Sequence, residues 1–180
     1  MRNWLRAAGG AAALALLAAA GTYLLNHGLV GRPVAAALRE DPRNSGFELS
    51  ARFGSYFLTR TLVLDLRSVD EASPADLWRG LFQSAAALDE RGRSFDIVVL
   101  ARQGEEIFRL PGQEFAWFGT QYRAGANPLY LIRKLPSKLR HPNGMPAYGE
   151  WAGGWLGVLN QELSDANDAV RTWAGAGVGF

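Results

Sequence analysis

The feature that most constrains this chain is a run of uncharged, mostly apolar residues close to its N-terminus. Residues 7–26 are largely Ala, Leu and Gly and contain no Asp, Glu, Lys or Arg. About 20 residues with a helical rise of about 1.5 Å each can cross a hydrocarbon core roughly 30 Å thick. Arg2 and Arg6 precede the run, as in the positively charged flank of a signal or anchor segment. The run therefore predicts a segment that is embedded in the membrane.

Three outcomes are compatible with this segment. It can stay as a signal anchor, so that residues 1–30 form a transmembrane helix. It can be removed as a signal peptide, because Ala18-Ala19-Ala20 before Gly21 resembles a cleavage site. It can also pack as a buried helix within a soluble fold. Apolar residues continue past Gly21, which favours the anchor, whereas the alanine-rich and weakly hydrophobic composition favours cleavage.

The orientation of such an anchor follows from the flanking basic residues. Arg2 and Arg6 lie on one side, and Arg32, Arg39 and Arg43 follow on the other, so the positive-inside rule is nearly balanced. The basic residues before the run lie closest to it, which favours a cytoplasmic N-terminus. We therefore expect a single pass through the inner membrane with the globular part on the periplasmic side, or a periplasmic or secreted protein after cleavage.

The rest of the chain has the composition of an ordinary folded domain. Of the 180 residues, 48% are hydrophobic and 20% are charged, which argues against disorder of the whole chain. Setting aside Arg2, Arg6 and Arg32 leaves 16 of the 19 basic residues against 17 acidic residues, a net charge of about −1. A domain of this charge has no general field for nucleic acid, and we expect no nucleic-acid partner.

Few residues in the sequence could hold a metal or act as a nucleophile. The chain has no cysteine, which excludes disulfides, thiolate metal sites and a cysteine nucleophile. It has two histidines, too few for the usual histidine-based zinc site. No Gly-x-Ser-x-Gly motif is present to carry a catalytic serine. We therefore assign no catalytic residue, metal or cofactor and lean toward a protein that is not an enzyme.

Hydrophobic patterning predicts four or five strands. Apolar and polar residues alternate over 47–53 and again over 59–67, as in half-buried strands joined by a hairpin. Residues 95–101 are apolar on both faces, which is typical of a central strand, and 106–110 follow as an antiparallel partner. Residues 129–133 are a candidate fifth strand.

Helical periodicity predicts three helices in the same region. The first begins with the cap Ser73, has Asp76 at the capping-box position and ends at Gly92. The second begins at Pro111, and the last covers 153–173 with an apolar stripe at steps of three and four residues. On the last helix, Glu162 and Asp165 are three residues apart, so they can share one face.

These elements predict an α/β (α+β) fold with a mixed sheet of four to five strands and packed helices, in the order β-β-α-β-β-α-β-α. The strand–helix–strand step requires a parallel crossover, and the two hairpins supply antiparallel pairs. The predicted organisation is an N-terminal transmembrane or signal helix (1–30), a linker (31–46), a globular domain (47–174) and a flexible tail (175–180). Within the domain, Asp65 stands in a largely apolar strand, so we expect it to pair with Arg67 or with an arginine on a neighbouring strand.

One candidate surface is a basic segment between residues 130 and 148. Its residues could bind an anionic group or lie on anionic lipid headgroups. Alternatively, it is a solvated loop whose charges balance Glu105, Glu106 and Glu114. The residues of this segment are Tyr130, Arg133, Lys134, Lys138, Arg140, His141 and Tyr148.

The segment continues into a cluster of glycines and aromatic residues around Trp151 and Trp155. Two tryptophans beside a flexible turn could form a ligand or partner surface. Core packing of Trp155 is the alternative. Mainly by exclusion, we favour a membrane-anchored, non-enzymatic module that binds a protein partner or supports an assembly. A periplasmic small-anion-binding protein or hydrolase with its site at 130–148 is the alternative.

Overall fold

The computed structural model describes residues 21, 24, 26–54, 60–152 and 154–175. The predicted membrane or signal segment therefore lies almost wholly outside the described residues, as does the predicted tail after residue 175. Within the described part of the chain, no helix is both long and apolar enough to cross a bilayer.

The centre of the domain is a mixed sheet of four strands in the order β1-β2-β3-β4. The strands are β1 (Phe47–Phe53), β2 (Thr61–Val69), β3 (Ile97–Arg102) and β4 (Glu105–Pro111). β1 and β2 pair antiparallel, β2 and β3 pair parallel, and β3 and β4 pair antiparallel. The two predicted hairpins and the predicted parallel crossover are therefore confirmed.

Helices pack on one face of this sheet. Their buried side chains join one core cluster with the side chains of alternate strand residues, whereas Val63, Val99 and Ala101 on the other face form a separate small cluster. The helices are α1 (Arg32–Arg39), α2 (Pro74–Asp89), α3 (Gly112–Arg123), α4 (Pro128–Lys134) and α5 (Trp155–Ala174). Shorter turns are the π-helical turn His27–Gly31 and the 3₁₀ turns Pro42–Gly46 and Pro136–Lys138.

The crossover helix α2 begins as its sequence predicts. The Ser73 side chain accepts a hydrogen bond from Asp76 N, and the Asp76 carboxylate accepts one from Ser73 N at 2.9 Å. Pro74 occupies the first helical position, where no intrahelical N–H bond is lost. This reciprocal cap satisfies two amide groups that would otherwise lack a partner.

The fifth strand predicted at 129–133 is wrong, because these residues form α4. Asn127 caps the helix by accepting a hydrogen bond from Leu129 N at 2.9 Å, and Pro128 occupies its first turn. Leu131 and Leu135 are buried, and their spacing of four residues places them on one helical face. The apolar run of 129–133 is too short to distinguish a strand from a helix by periodicity alone.

Residues 31–46, predicted as a linker, are packed onto the domain. Val30, Val34 and Leu38 are buried at intervals of four residues, so one face of α1 belongs to the core. The buried Asn44 donates hydrogen bonds to Leu38 O at 2.9 Å and to Gln83 Oε1 at 2.6 Å. The prolines and glycines that indicate a linker here serve as helix starts and turns.

The residues just before α1 contact the outer edge of β1 near the C-terminal end of the strand. Phe53 N, at the end of the strand, donates a hydrogen bond to Asn26 Oδ1 at 2.6 Å. Gly31 lies so close to the strand that a Cβ at this position would be 3.4 Å from Ala51 O. An uncovered edge strand can pair with another chain, and the residues before α1 reduce that exposure.

Helix α5 is fixed to the sheet by two stacked tryptophans. The rings of Trp78 on α2 and Trp173 on α5 lie 5.7 Å apart, and both side chains are fully buried. Trp78 Nε1 donates to Ala166 O at 3.1 Å, and Trp173 Nε1 donates to Ala101 O at 2.9 Å. The last helix is therefore joined to both α2 and β3.

Candidate functional site

The predicted surface residues lie where α4, the following turn and the loop 139–152 pack against α5. On α5, Glu162, Asp165 and Asp168 follow one another at intervals of three residues, which places them along one side of the helix. Each of these carboxylates accepts hydrogen bonds from the 130–151 segment. The segment and the last helix are thus joined by a row of three acidic residues.

Glu162 forms the most buried of these contacts. Its Oε2 lies 2.8 Å from Nε and 2.6 Å from Nη2 of Arg133, and its Oε1 lies 3.1 Å from Nζ of Lys134. Burial opposes ionisation of the carboxyl group, but the hydrogen bonds and charges of Arg133 and Lys134 outweigh it and lower the pKa of Glu162. Two of the predicted anion-binding cations are therefore held by a carboxylate of the protein itself.

Two aromatic residues make the other contacts in the row. Trp151 Nε1 donates a hydrogen bond to Asp165 Oδ2 at 2.6 Å, and Tyr148 OH donates one to Asp168 Oδ2 at 2.7 Å. The Tyr148 ring also packs against Phe108 of β4, with ring centroids 6.2 Å apart. Burial and the hydrogen bond to Asp168 raise the pKa of Tyr148 above its ordinary value, so this hydroxyl stays protonated.

Part of the predicted set surrounds a cleft of about 190 Å³. Its charged groups are balanced, because three cations face three carboxylates and Lys138 Nζ lies 3.3 Å from Glu150 Oε1. Neutralised cations of this kind give little attraction for a free anion. The charged and aromatic residues of the cleft are Arg133, Lys134, Lys138, Glu150, Trp151, Glu162 and Asp165.

The remaining predicted residues do not line this cleft. Arg140 extends the edge of β4, since its N–H donates to Arg109 O at 2.9 Å and its carbonyl accepts from Arg109 N at 2.8 Å. The His141 ring packs near Phe108, with centroids 6.2 Å apart. Tyr130 is exposed on α4. Trp155 begins α5, and its side chain lies outside the described residues.

Comparison with known proteins identifies no relative of this chain. The chain gave no significant match to a protein family, to a curated protein or to a solved structure.

Asp65 is the other buried charge that the sequence indicates. Its side chain is fully buried in β2, Oδ1 accepts a hydrogen bond from Gly104 N at 3.0 Å, and Oδ2 lies 3.1 Å from Nη2 of Arg67. The predicted pairing with Arg67 is confirmed. Among the residues that the structure describes, no group of three or more His, Asp or Glu side chains is arranged to hold a metal ion.

Sequence reasoning found the cations but not their partners. The expected balancing acids were Glu105, Glu106 and Glu114, whereas the carboxylates in contact are those of α5 and Glu150. The available signal was the spacing of Glu162 and Asp165, which does place them on one side of α5. It gave no indication of which part of the chain would cover that side.

Replacing Glu162 by glutamine is expected to lower the free energy of unfolding by about 1–2 kcal/mol at pH 7, because Arg133 loses its charged partner at a largely buried position. The pKa of Glu162 is lowered in the folded state, so its contribution is present above the unfolded pKa of about 4.3 and disappears as the pH falls through the folded pKa. Urea denaturation of the variant and of the unmodified chain, at pH 7 and at pH 3, measures how the loss in free energy of unfolding depends on pH.

The control is Glu150→Gln, since the Glu150 side chain is 78% exposed and its ion pair among the described residues is with Lys138. Exposed ion pairs contribute about 0–1 kcal/mol, so this variant should unfold almost like the unmodified chain. If Glu162→Gln lowered stability equally at both pH values, the stabilising role of the charged form would be refuted.

Proposed function

We propose that this chain is a single-pass protein of a bacterial-type envelope, anchored in the inner membrane by residues 7–26. Its domain acts on the periplasmic side as a non-enzymatic module that binds another protein or supports an assembly. The observation that carries the proposal is Trp151, a large aromatic side chain that is 48% exposed and yet held in place by a hydrogen bond.

A fixed, exposed tryptophan is well suited to protein recognition. Its indole loses little conformational entropy on binding, because the bond from Nε1 to Asp165 already restricts the ring. Tryptophan is enriched among residues that dominate binding energy, especially where a polar rim surrounds it. The ion pairs of Glu162 and Glu150 supply such a rim in the cleft beside Trp151. Tyr130 is exposed on α4, one helical turn before Lys134.

The geometry gives less support to the anion-binding or hydrolase alternative. Ligand pockets usually measure about 300–1,000 Å³. The cleft beside Trp151 measures about 190 Å³, and its cations are already paired with carboxylates. A flat or convex partner surface therefore fits these residues better than an enclosed anion does.

The test compares Trp151→Ala with Trp117→Ala in the full chain. Trp117 lies on α3, is 37% exposed and packs edge-on against Phe118, so it matches Trp151 in type and accessibility. After mild cross-linking in cells, the tagged chain is purified from detergent-solubilised membranes. Partners bound to the unmodified chain are then quantified by mass spectrometry.

We expect Trp151→Ala to reduce recovery of the specific partner about 30-fold, the effect of losing about 2 kcal/mol of binding energy. Trp117→Ala should leave recovery unchanged, and both variants should keep the circular dichroism of the parent. Equal recovery by the unmodified chain and Trp151→Ala would refute this surface.

The membrane anchor is tested by the mass of the purified chain. That mass should include residues 1–20, and a chain that begins at Gly21 would refute the anchor.

A further inference from the structure

The N-terminal segment joins the domain at one end of the sheet. Asn26 accepts a hydrogen bond from Phe53 N, at the end of β1. The strand register places Thr61, Ile97 and Pro111 at this same end, because they occupy one cross-strand row. We call it the attachment end, and we call the opposite end, where β2 finishes and β3 turns into β4, the distal end.

The chain has no flexible linker between Asn26 and the domain. Asn26 has φ −57° and ψ −50°, and Gly31 has φ −64° and ψ −54°, so both are helical. A π-helical turn continues directly into α1, whose Val34 and Leu38 are buried in the core. If the segment before Asn26 enters a membrane, the surface of that membrane must therefore lie close to the attachment end.

Charge is distributed unevenly between the two ends. At the attachment end, Arg32, Arg52 and Arg93 have no carboxylate within ion-pair distance among the described residues, and Arg60 and Asp96 neutralise one another. Acids at this end include Glu114, in the first turn of α3, and Glu90, at the end of α2, whose carboxylate lies 3.9 Å from Arg91.

The distal end has the opposite character. Four of its carboxylates have no cation within ion-pair distance in the described part of the chain, whereas Asp65 and Asp76 pair with Arg67 and Arg79. Exposed cations at this end are Arg43, Arg67 and Arg171. Arg102 at this end directs its guanidinium to the carbonyl oxygens of Leu66, Arg67 and Ala174. The unpaired acids of the distal end are Glu48, Asp70, Glu71 and Glu105.

We propose that the attachment end of the sheet lies on the headgroup region of the membrane that residues 7–26 enter, with Arg32, Arg52 and Arg93 toward anionic headgroups and the acidic distal end away from them. This inference rests on the proposed membrane anchor. Basic residues beside a membrane segment are attracted to anionic lipid, and carboxylates are repelled. Ile97, 37% exposed at the attachment end, supplies an apolar side chain at the level of the interface.

The absence of cysteine makes the orientation directly measurable, because one introduced cysteine can be labelled alone. Ile97→Cys marks the attachment end, and Glu105→Cys marks the distal end. The two positions are separated by about 17 Å along the strands. Each full-length variant carries an environment-sensitive fluorophore and is reconstituted into vesicles of phosphatidylcholine and phosphatidylglycerol in equal parts, with a headgroup-linked spin label as quencher.

Flotation of the vesicles is measured first. A chain that stays behind while the vesicles float refutes the anchor, and this inference with it. If the chain floats, we expect the label at residue 97 to lose most of its fluorescence and the label at residue 105 to lose little. Equal loss at both positions, or greater loss at residue 105, overturns the inference while the anchor stands.

A charge variant tests the role of the arginines. With Arg32, Arg52 and Arg93 changed to Gln, quenching at residue 97 should fall to the value found in vesicles of phosphatidylcholine alone. The matched control is Arg171→Gln, an exposed cation at the distal end, which should leave quenching unchanged. Undiminished quenching in the triple variant, with a circular dichroism spectrum like that of the parent, overturns the proposed attraction to anionic headgroups.

Discussion

Replacing Trp173 by alanine is expected to lower the free energy of unfolding by about 3–5 kcal/mol, the usual cost of removing a buried aromatic side chain. Trp173 is fully buried, and its ring stacks on Trp78 with centroids 5.7 Å apart. The cavity would lie between α5, α2 and β3, three rigid elements that cannot close together completely. The remaining Ala101 carbonyl would also lose the hydrogen bond that it accepts from the indole.

Urea denaturation of the full chain in mild detergent, followed by far-ultraviolet circular dichroism, measures this effect. Trp173→Phe keeps an aromatic ring but removes the donor, so it should cost less than the alanine variant. Trp117→Ala removes a tryptophan that is 37% exposed and should cost under about 1 kcal/mol. A stability of Trp173→Ala similar to that of Trp117→Ala would show that α5 does not depend on the stacked pair.

Replacing Gly112 by alanine is expected to lower the free energy of unfolding by at least about 3 kcal/mol. This value is at the upper end of the usual cost of inserting extra atoms into a packed site. A Cβ at Gly112 would overlap the carbonyl group of Phe95 and approach that of Asp96 at 3.1 Å. These are backbone atoms, so no side-chain rotation can make room. Gly112 N also donates to Asp96 O at 2.8 Å, which holds the start of α3 against the start of β3.

The matched control for this substitution is Gly149→Ala. Gly149 has no heavy atom within 4 Å of an added Cβ, and its φ lies outside the region that favours glycine. Its replacement should change stability by no more than about 0.5 kcal/mol in either direction. Both variants are compared by thermal and urea denaturation. A folded Gly112→Ala protein as stable as Gly149→Ala would mean that the contact between the β4–α3 corner and Phe95 is adjustable.

The sheet was predictable because its strands carry strong local patterns. Alternation over β1 and β2, and a fully apolar β3, specify which faces are buried, and the single helix between β2 and β3 requires a parallel crossover. The capping residues Ser73 and Asp76 likewise fix the start of α2 within the sequence itself.

The helices α1 and α4 were harder to predict because each is short and has a proline in its first turn. Pro33 and Pro128 indicate a break when they are considered alone, although each occupies the first turn of a helix. The buried faces of these helices consist of a few residues, such as Val34 and Leu38 in α1. Packing against the rest of the domain, which the local sequence does not specify, stabilises them.

The candidate site was predictable as a set of side chains but not as an arrangement. Arg133 and Glu162 are separated by 29 residues, and no local pattern indicates that they meet. The same is true of Trp151 and Asp165, which come together because the loop after α4 folds back along α5. The segment 130–148 is basic in sequence, but these contacts with carboxylates neutralise its surface around the cleft.

The hydrogen bond between Asn26 and Phe53 has a consequence for synthesis. Asn26 precedes β1 in the chain, so the residue that caps the end of the strand edge emerges from the ribosome before the strand itself. When β1 forms, its cap is already present, and the time during which a neighbouring nascent chain could pair with that edge is short. A chain with Asn26 replaced by alanine keeps α1 and its buried side chains but lacks this hydrogen bond, and it should aggregate more during expression than the unmodified chain.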